Sequence, residues 1–156
     1  MIQRIQTVYL ALAVLLSVLL VFLKVTLATL ATEAGGYELN SVSVLVHKEG
    51  TVETVMSSFP ITGTIMLGVF LSIYGIMQYK NRKFQVKLVQ GALLVQLIVA
   101  AVVFFFADKM AALDAVAKVS YSPALAMLLI NVLLYFLSIR GIKSDDALVR
   151  SADRLR

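Results

Sequence analysis

Four apolar stretches divide the chain, and each is close to the length that a membrane-spanning helix requires. They cover residues 8–30, 61–79, 88–107 and 123–139. Because a helix needs roughly 20 mostly apolar residues to cross the hydrocarbon core of a bilayer, the pattern predicts four spans. The fold class that follows is an all-α membrane protein, a bundle of four transmembrane helices that forms a single domain over residues 1–156.

The segments between the spans predict smaller elements. In the longer outside loop, residues 31–60, apolar and polar positions alternate over 42–46 and 51–55, which predicts a small β-hairpin. In the tail, Ser144 is a candidate helix cap followed by two acidic residues, which predicts a short C-terminal helix. The remaining connections are the inside loop 80–87, the outside loop 108–122 and the tail 140–156.

Lysine and arginine are distributed unevenly between the two ends of these spans. One side holds ten of them: Arg4, Lys80, Arg82, Lys83, Lys87, Arg140, Lys143, Arg150, Arg154 and Arg156. The other side holds four: Lys24, Lys48, Lys109 and Lys118. Because basic residues favour the cytoplasmic ends of spans, both termini are predicted in the cytoplasm. Membrane orientation also accounts for the net charge of +5, so nucleic-acid binding is not predicted.

Composition excludes several kinds of chemistry. The chain has no cysteine, which rules out disulfides, thiolate metal sites and thiol catalysis. Its one histidine, His47, has no convergent partner with which to hold a metal. The predicted spans contain no carboxylate or histidine, and no nearby base activates Ser151. We therefore predict no catalytic, cofactor-binding or metal-binding residue, and a protein that is not an enzyme.

A few polar residues interrupt the predicted spans. Gln96 and Asn131 are expected to form hydrogen bonds between helices, Gln90 to lie near the inner interface, and Lys24 to extend its long stem towards the headgroups. Lys24, Gln90, Gln96 and Asn131 are therefore the candidate intramembrane polar contacts. A polar lining for a cavity is the alternative interpretation of the same residues.

Both ends of the chain resemble one family. The start, Met1–Leu10 (MIQRIQTVYL), and the end, Asp145–Arg156 (DDALVRSADRLR), are similar to sequences of domain-of-unknown-function family 4293, small membrane proteins from Bacteroidota. The inner turn Tyr79–Gln85 also fits, whereas Asp146 departs mildly from a position that is often glutamate. The likeness spans the full length and implies a four-span protein of a bacterial inner membrane. It implies no activity.

The polar residues of these two ends share the predicted cytoplasmic side. They are the candidates for docking a partner or lipid headgroups, and the two interpretations stay open: Gln3, Arg4, Gln6, Asp145, Asp146, Arg150, Ser151, Asp153, Arg154 and Arg156. The predicted function is a non-enzymatic accessory, scaffold or assembly subunit. Its predicted partners are the lipid bilayer and either another membrane protein or further copies of this chain. The alternative is a component of a small-solute transporter or channel that acts as an oligomer.

Overall fold

The computed structural model describes residues 5–32, 35–48, 51–112 and 118–154, which form four long helices and one five-stranded antiparallel sheet. The helices are α1 (Ile5–Phe22), α2 (Phe59–Met77), α3 (Arg82–Ala111) and α4 (Ala126–Arg154). The strands are β1 (Thr26–Thr32), β2 (Gly35–Asn40), β3 (Ser43–Lys48), β4 (Thr51–Ser57) and β5 (Val119–Tyr121). A single 3₁₀ turn, Pro123–Leu125, precedes α4. We call the end of the bundle that carries the sheet the sheet end, and the opposite end the basic end.

The prediction of an all-α fold is wrong, because the first apolar run is divided between a helix and a strand. Helix α1 ends at Phe22, and Lys24 takes a left-handed conformation with φ of 46° that turns the chain into β1. Leu27, Ala28 and Leu30 of β1 are fully buried. These apolar residues extend the run that α1 begins, and hydropathy alone does not separate a buried strand from the helix before it.

The sheet combines strands from both connections at its end of the bundle. Its strand order is β4-β3-β2-β1-β5. Strands β1 to β4 follow one another between α1 and α2, whereas β5 comes from the connection between α3 and α4 and pairs with β1 through Thr29 and Ser120. The hairpin predicted within residues 42–55 is the β3–β4 pair. It is stabilised by pairing with the rest of the sheet, since an isolated hairpin is marginal in water.

Within the described residues, four helices are long and apolar enough to cross a membrane. Their outward faces expose large apolar side chains, among them Leu15, Phe70, Leu94 and Leu133, while polar side chains such as Asn131 are buried between the helices. An apolar surface of this extent is a contact surface for lipid or for another protein. At the level of helix length and composition, the prediction of a membrane-associated protein is confirmed.

Two clusters of buried side chains hold the helices and the sheet together. At the sheet end, Leu27 and Leu39 of the strands pack with Val103 and Phe106 of α3 in one continuous core. Towards the basic end, a smaller cluster surrounds Tyr135. Helix α3 extends to Ala111, and Phe106 and Met110 of its last turns pack in the same core as the strands.

The prediction of a short, separate C-terminal helix is also wrong. Helix α4 runs without interruption from Ala126 to Arg154. Ser144 therefore lies inside a helix rather than at its start. A helix already nucleated propagates through the residues after it at little cost, and Ala147, Leu148 and Arg150 among them are good helix formers. The tail is a rigid extension of α4.

Candidate functional site

The basic end is assembled around the short turn between α2 and α3. Asn81 caps α3, because its side-chain oxygen accepts a hydrogen bond from the backbone N–H of Phe84 at 3.2 Å. The next residue, Arg82, donates from Nη1 to the backbone carbonyl oxygen of Asp145 on α4, at 2.7 Å. A charged donor makes a stronger hydrogen bond than a neutral one. The guanidinium therefore ties the start of α3 to α4 at the root of the tail.

Several cavities open at this end of the bundle, and two of them share Lys143. The first, of about 360 Å³, lies between α3 and α4 and is lined by Val86, Gln90, Asp146 and four basic residues, Arg82, Lys83, Lys87 and Lys143. The second, of about 440 Å³, is lined by Phe136, Ile139, Arg140, Lys143 and Ser144. Predicted docking residues 145 and 146 and the basic turn thus meet in space. Their common surface is positively charged.

The tail presents apolar side chains beyond this basic surface. Leu148 and Val149 are 66% and 44% exposed. The hydroxyl of Ser151 donates to the carbonyl oxygen of Leu148 in its own helix, at 2.8 Å. Arg150, Asp153 and Arg154 belong to α4, but their side chains lie outside the described part of the structure, as do Gln3, Arg4 and Arg156 as whole residues.

Gln6 lies in the interior of the bundle rather than on the cytoplasmic surface that its position near the N-terminus suggests. It is 3% exposed. Its backbone carbonyl accepts a hydrogen bond from the hydroxyl of Ser138 at 3.3 Å, and a Cβ placed on Gly141 would lie 3.3 Å from Gln6 Cβ. Gln6 therefore positions α1 against α4, and its side chain is not accessible to a partner.

Hydrogen bonds between hydroxyl and amide groups connect the helices in mid-bundle. Asn131 of α4 donates from Nδ2 to the hydroxyl of Ser17 on α1, at 3.0 Å. The hydroxyl of Ser72 on α2 donates to its own helix at Gly68, so the 2.9 Å contact with Tyr135 is made by the tyrosine proton. These contacts join α4 to two neighbours and fix its rotation about its own axis.

The predicted intramembrane polar residues fall into two groups. Asn131 and Gln96 are buried, at 1% and 4% exposure, and Asn131 makes the predicted interhelical hydrogen bond. The Nε2 of Gln96 has no hydrogen-bond partner among the described residues. Gln90 and Lys24 are exposed; Gln90 borders the first cavity at the basic end, and Lys24 lies in the turn before β1.

Sequence reasoning missed Ser17, Tyr135 and Ser138 as members of the polar interior. A usable signal was present, because Asn131, Tyr135 and Ser138 follow one another at spacings of four and three residues. That spacing places side chains on one face of a helix. A polar face on an otherwise apolar span indicates the side that packs against other helices.

Removal of the Tyr135 hydroxyl will weaken the link between α4 and α2. Interhelical hydrogen bonds in membranes contribute about 0.6 kcal/mol on average and at most about 1.7 kcal/mol, so Tyr135→Phe should lower the free energy of unfolding by an amount in that range. A double-mutant cycle with Ser72→Ala in detergent, followed by thermal unfolding, measures the coupling. Tyr79→Phe, at an exposed position beyond α2, is the control. Fully additive losses would contradict the contact.

Polar contacts at the sheet end involve one glutamate. Glu38 accepts a hydrogen bond from the hydroxyl of Thr26 on the neighbouring strand, and its other carboxylate oxygen lies 3.2 Å from Nε2 of His47. The His47 side chain is 48% exposed. Among the described residues, no group of three or more histidine, aspartate or glutamate side chains converges as metal ligands would.

A protein-family model matches nearly the whole chain. A family model described as domain of unknown function (DUF4293) matches residues 2–155. The chain belongs to this family. The match includes all the helices and strands described above, and the resemblance first seen at the two termini is thereby confirmed. No curated protein sequence matches this DUF4293 member. The family's description supplies no activity.

Proposed function

We propose that this DUF4293 protein is a non-enzymatic accessory, scaffold or assembly subunit of a bacterial inner membrane, and that its basic end docks a membrane-protein partner. The observation that carries this proposal is the projection of α4 from the bundle. The proposal places the sheet end outside the cytoplasm and both termini inside it, in keeping with the distribution of lysine and arginine.

Helix α4 is longer than the membrane requires. At 1.5 Å per residue its 29 residues extend about 43 Å, against roughly 30 Å for a hydrocarbon core. The excess lies at the basic end, where Arg82 holds the helix at Asp145. Leu148 and Val149 lie beyond that point with much of their side-chain surface exposed. A rigid helix that offers apolar side chains beside basic ones suits recognition by the groove or helix of a partner.

The interior of the bundle supports a packing role more than a conduit or a reaction site. Asn131 and Tyr135 are bonded directly to hydroxyls of neighbouring helices, and Tyr135 is fully buried. A transport path needs polar groups that face water or substrate. A membrane hydrolase needs a nucleophile within reach of a base. The hydroxyl of Ser151 is instead bonded to its own helix.

Leu148→Glu should weaken partner docking at least about tenfold without affecting the fold. The substitution places a charge in the centre of the proposed contact, whereas Leu148→Met keeps an apolar side chain of similar volume. A photo-crosslinking residue at position 149 in native membranes measures the contact. We expect one dominant crosslinked species in the parent and Leu148→Met proteins, reduced at least about tenfold by Leu148→Glu, a loss of about 1.4 kcal/mol.

The mass of the crosslinked species separates the two kinds of partner. A species at a multiple of 17.0 kDa identifies another copy of this chain, and any other defined mass identifies a different protein. The same crosslinking probe in place of Lys24, at the sheet end, controls for random collision. A protein that gives no crosslink at 149 above this control would contradict the docking proposal.

The orientation can be tested separately, because the chain contains no cysteine that would react with a probe. We expect a single cysteine at Val52, exposed on β4, to react with a membrane-impermeant maleimide in intact cells. A cysteine at Lys83, beside the α2–α3 turn, should react only after the cells are broken. The reverse labelling pattern would contradict cytoplasmic termini.

A further inference from the structure

We propose that the groove between α3 and α4 at the basic end binds one anionic phospholipid. Its phosphate would lie among the four basic residues of the first cavity, and its acyl chains would follow α4 towards Phe136. Leu148 and Val149 do not line the site, although Val149 borders a neighbouring cavity that shares Arg82, Lys83 and Asp146 with it. The docking test changes Leu148 and the lipid test changes Lys87 and Lys143, so either proposal can fail without the other.

The positive charge of the first cavity favours an anionic ligand. Arg82, Lys83, Lys87 and Lys143 line it against a single carboxylate, that of Asp146. The Arg82 guanidinium is already positioned by its bond to the Asp145 carbonyl, and a guanidinium has further N–H donors that remain for a phosphate oxygen. The lysines are exposed, so their flexible side chains can turn their ammonium groups towards a headgroup. Basic pockets between transmembrane helices are a recurrent form of headgroup site.

The order of residues along α3 matches the order of groups in a phospholipid. Lys83, Lys87 and Gln90 follow at spacings of four and three, so they share one face of the helix over about 10 Å. The charged residues lie at the end of the bundle, and the amide of Gln90 lies deeper. An amide at that depth can donate to the ester carbonyls that join the headgroup to the acyl chains.

The same order, from charged to apolar residues, recurs on α4. It favours a lipid over free phosphate as the ligand. The second cavity continues from Lys143 and Arg140 to the apolar side chains of Ile139 and Phe136. Phe136 is 57% exposed on the outward face of the bundle. Inorganic phosphate would leave this apolar wall uncovered. A diacyl lipid would cover it, and burial of apolar surface would add to the electrostatic attraction.

Native mass spectrometry of the full-length protein in a neutral detergent tests the site. The probes are phosphatidylglycerol, phosphatidylcholine and inorganic phosphate. The double variant Lys87→Gln/Lys143→Gln removes two cations of the cavity, while Lys109→Gln/Lys118→Gln removes two exposed lysines of the sheet end and leaves the same net charge. Lys87→Arg/Lys143→Arg keeps the charge in the cavity.

We expect one molecule of phosphatidylglycerol to bind the parent protein in preference to phosphatidylcholine. Each basic residue at a lipid surface contributes about fivefold to affinity, so the cavity variant should bind about thirtyfold more weakly. The sheet-end and arginine variants should bind as the parent does. Equal affinity of the two glutamine variants, or competition by inorganic phosphate at the concentration of the lipid, would overturn the proposal. Folding of each variant is checked by its thermal unfolding midpoint without lipid.

Discussion

Gly68→Leu will separate α2 from α3 and lower the free energy of unfolding by about 1–3 kcal/mol, the usual cost of overfilling a packed interface. A Cβ at Gly68 would already lie 3.5 Å from Cγ1 of Val95 on α3, so an alanine fits and the further carbons of leucine do not. Gly75 lies on the same face and approaches Val89 at the same distance. Unfolding by SDS titration, followed by circular dichroism, measures the loss.

Gly63 provides a matched control on the same helix. A Cβ at Gly63 has no neighbour within 4 Å among the described residues, so Gly63→Leu adds the same side chain without a clash. Both substitutions replace a glycine inside a helix and gain the same helix propensity, about 1 kcal/mol. The difference between the two variants therefore isolates the packing of α2 on α3. Equal stability of the two leucine variants would contradict close packing at Gly68.

Asn40→Ala will disrupt the β2–β3 turn and lower the free energy of unfolding by about 1–3 kcal/mol, because two partly buried backbone N–H groups lose their shared acceptor. The Oδ1 of Asn40 accepts from the backbone N–H groups of Val42 and Ser43, at 2.9 and 2.8 Å. Its backbone carbonyl accepts from the hydroxyl of Ser58, just before α2, at 3.0 Å. Thermal unfolding of the purified protein measures the effect.

Asn81→Ala is the control for this substitution. Asn81 also accepts a backbone N–H through its side chain, but it is exposed and caps a helix that packing already holds. A cap of this kind contributes about 0.5–2 kcal/mol, and water replaces part of it. We expect the Asn40 variant to unfold at the lower temperature. A larger loss in the Asn81 variant would contradict a stabilising role for the Asn40 side chain in the β2–β3 turn.

The helices could be predicted from the sequence because a helix that spans a membrane is apolar over most of its length. The second and third apolar runs coincide with α2 and the middle of α3, because every position of a membrane helix, outward or inward, favours apolar residues. The same property explains the error in the first run. The buried strand residues Leu27, Ala28 and Leu30 are as apolar as those of a span, and only the left-handed turn at Lys24 separates them from α1.

Local sequence patterns could not predict the pairing of strands that lie far apart in the chain. The β3–β4 hairpin was predictable because its strands are neighbours in the chain, with alternation over 42–46 and 51–55. Strand β5 is three residues long, too short for any alternation, and it forms only because β1 offers an open edge. The sheet is therefore a tertiary feature, recognised once the helices bring its parts together.

The positive charge of the basic end was predicted from the sequence, but the contacts of its individual residues were not. The concentration of cations there was predicted from the uneven distribution of lysine and arginine. The contact between the Arg82 side chain and the backbone carbonyl of Asp145 was not, because no charge pattern indicates it. Gln6 was assigned to the surface because polar residues near a terminus usually lie there, but Gly141 leaves room for it between α1 and α4.

The origin of β5 has a consequence for the biogenesis of the protein. Strands β1 to β4 are complete once the first half of the chain has been synthesised, whereas β5 arrives only after α3 has crossed to the sheet end. Until then β1 is an edge strand with unpaired backbone groups, a surface prone to pairing with other chains. Pairing with β5 then covers the middle of β1, at Ala28, Thr29 and Leu30, so a newly made molecule exposes less of that edge to aggregation.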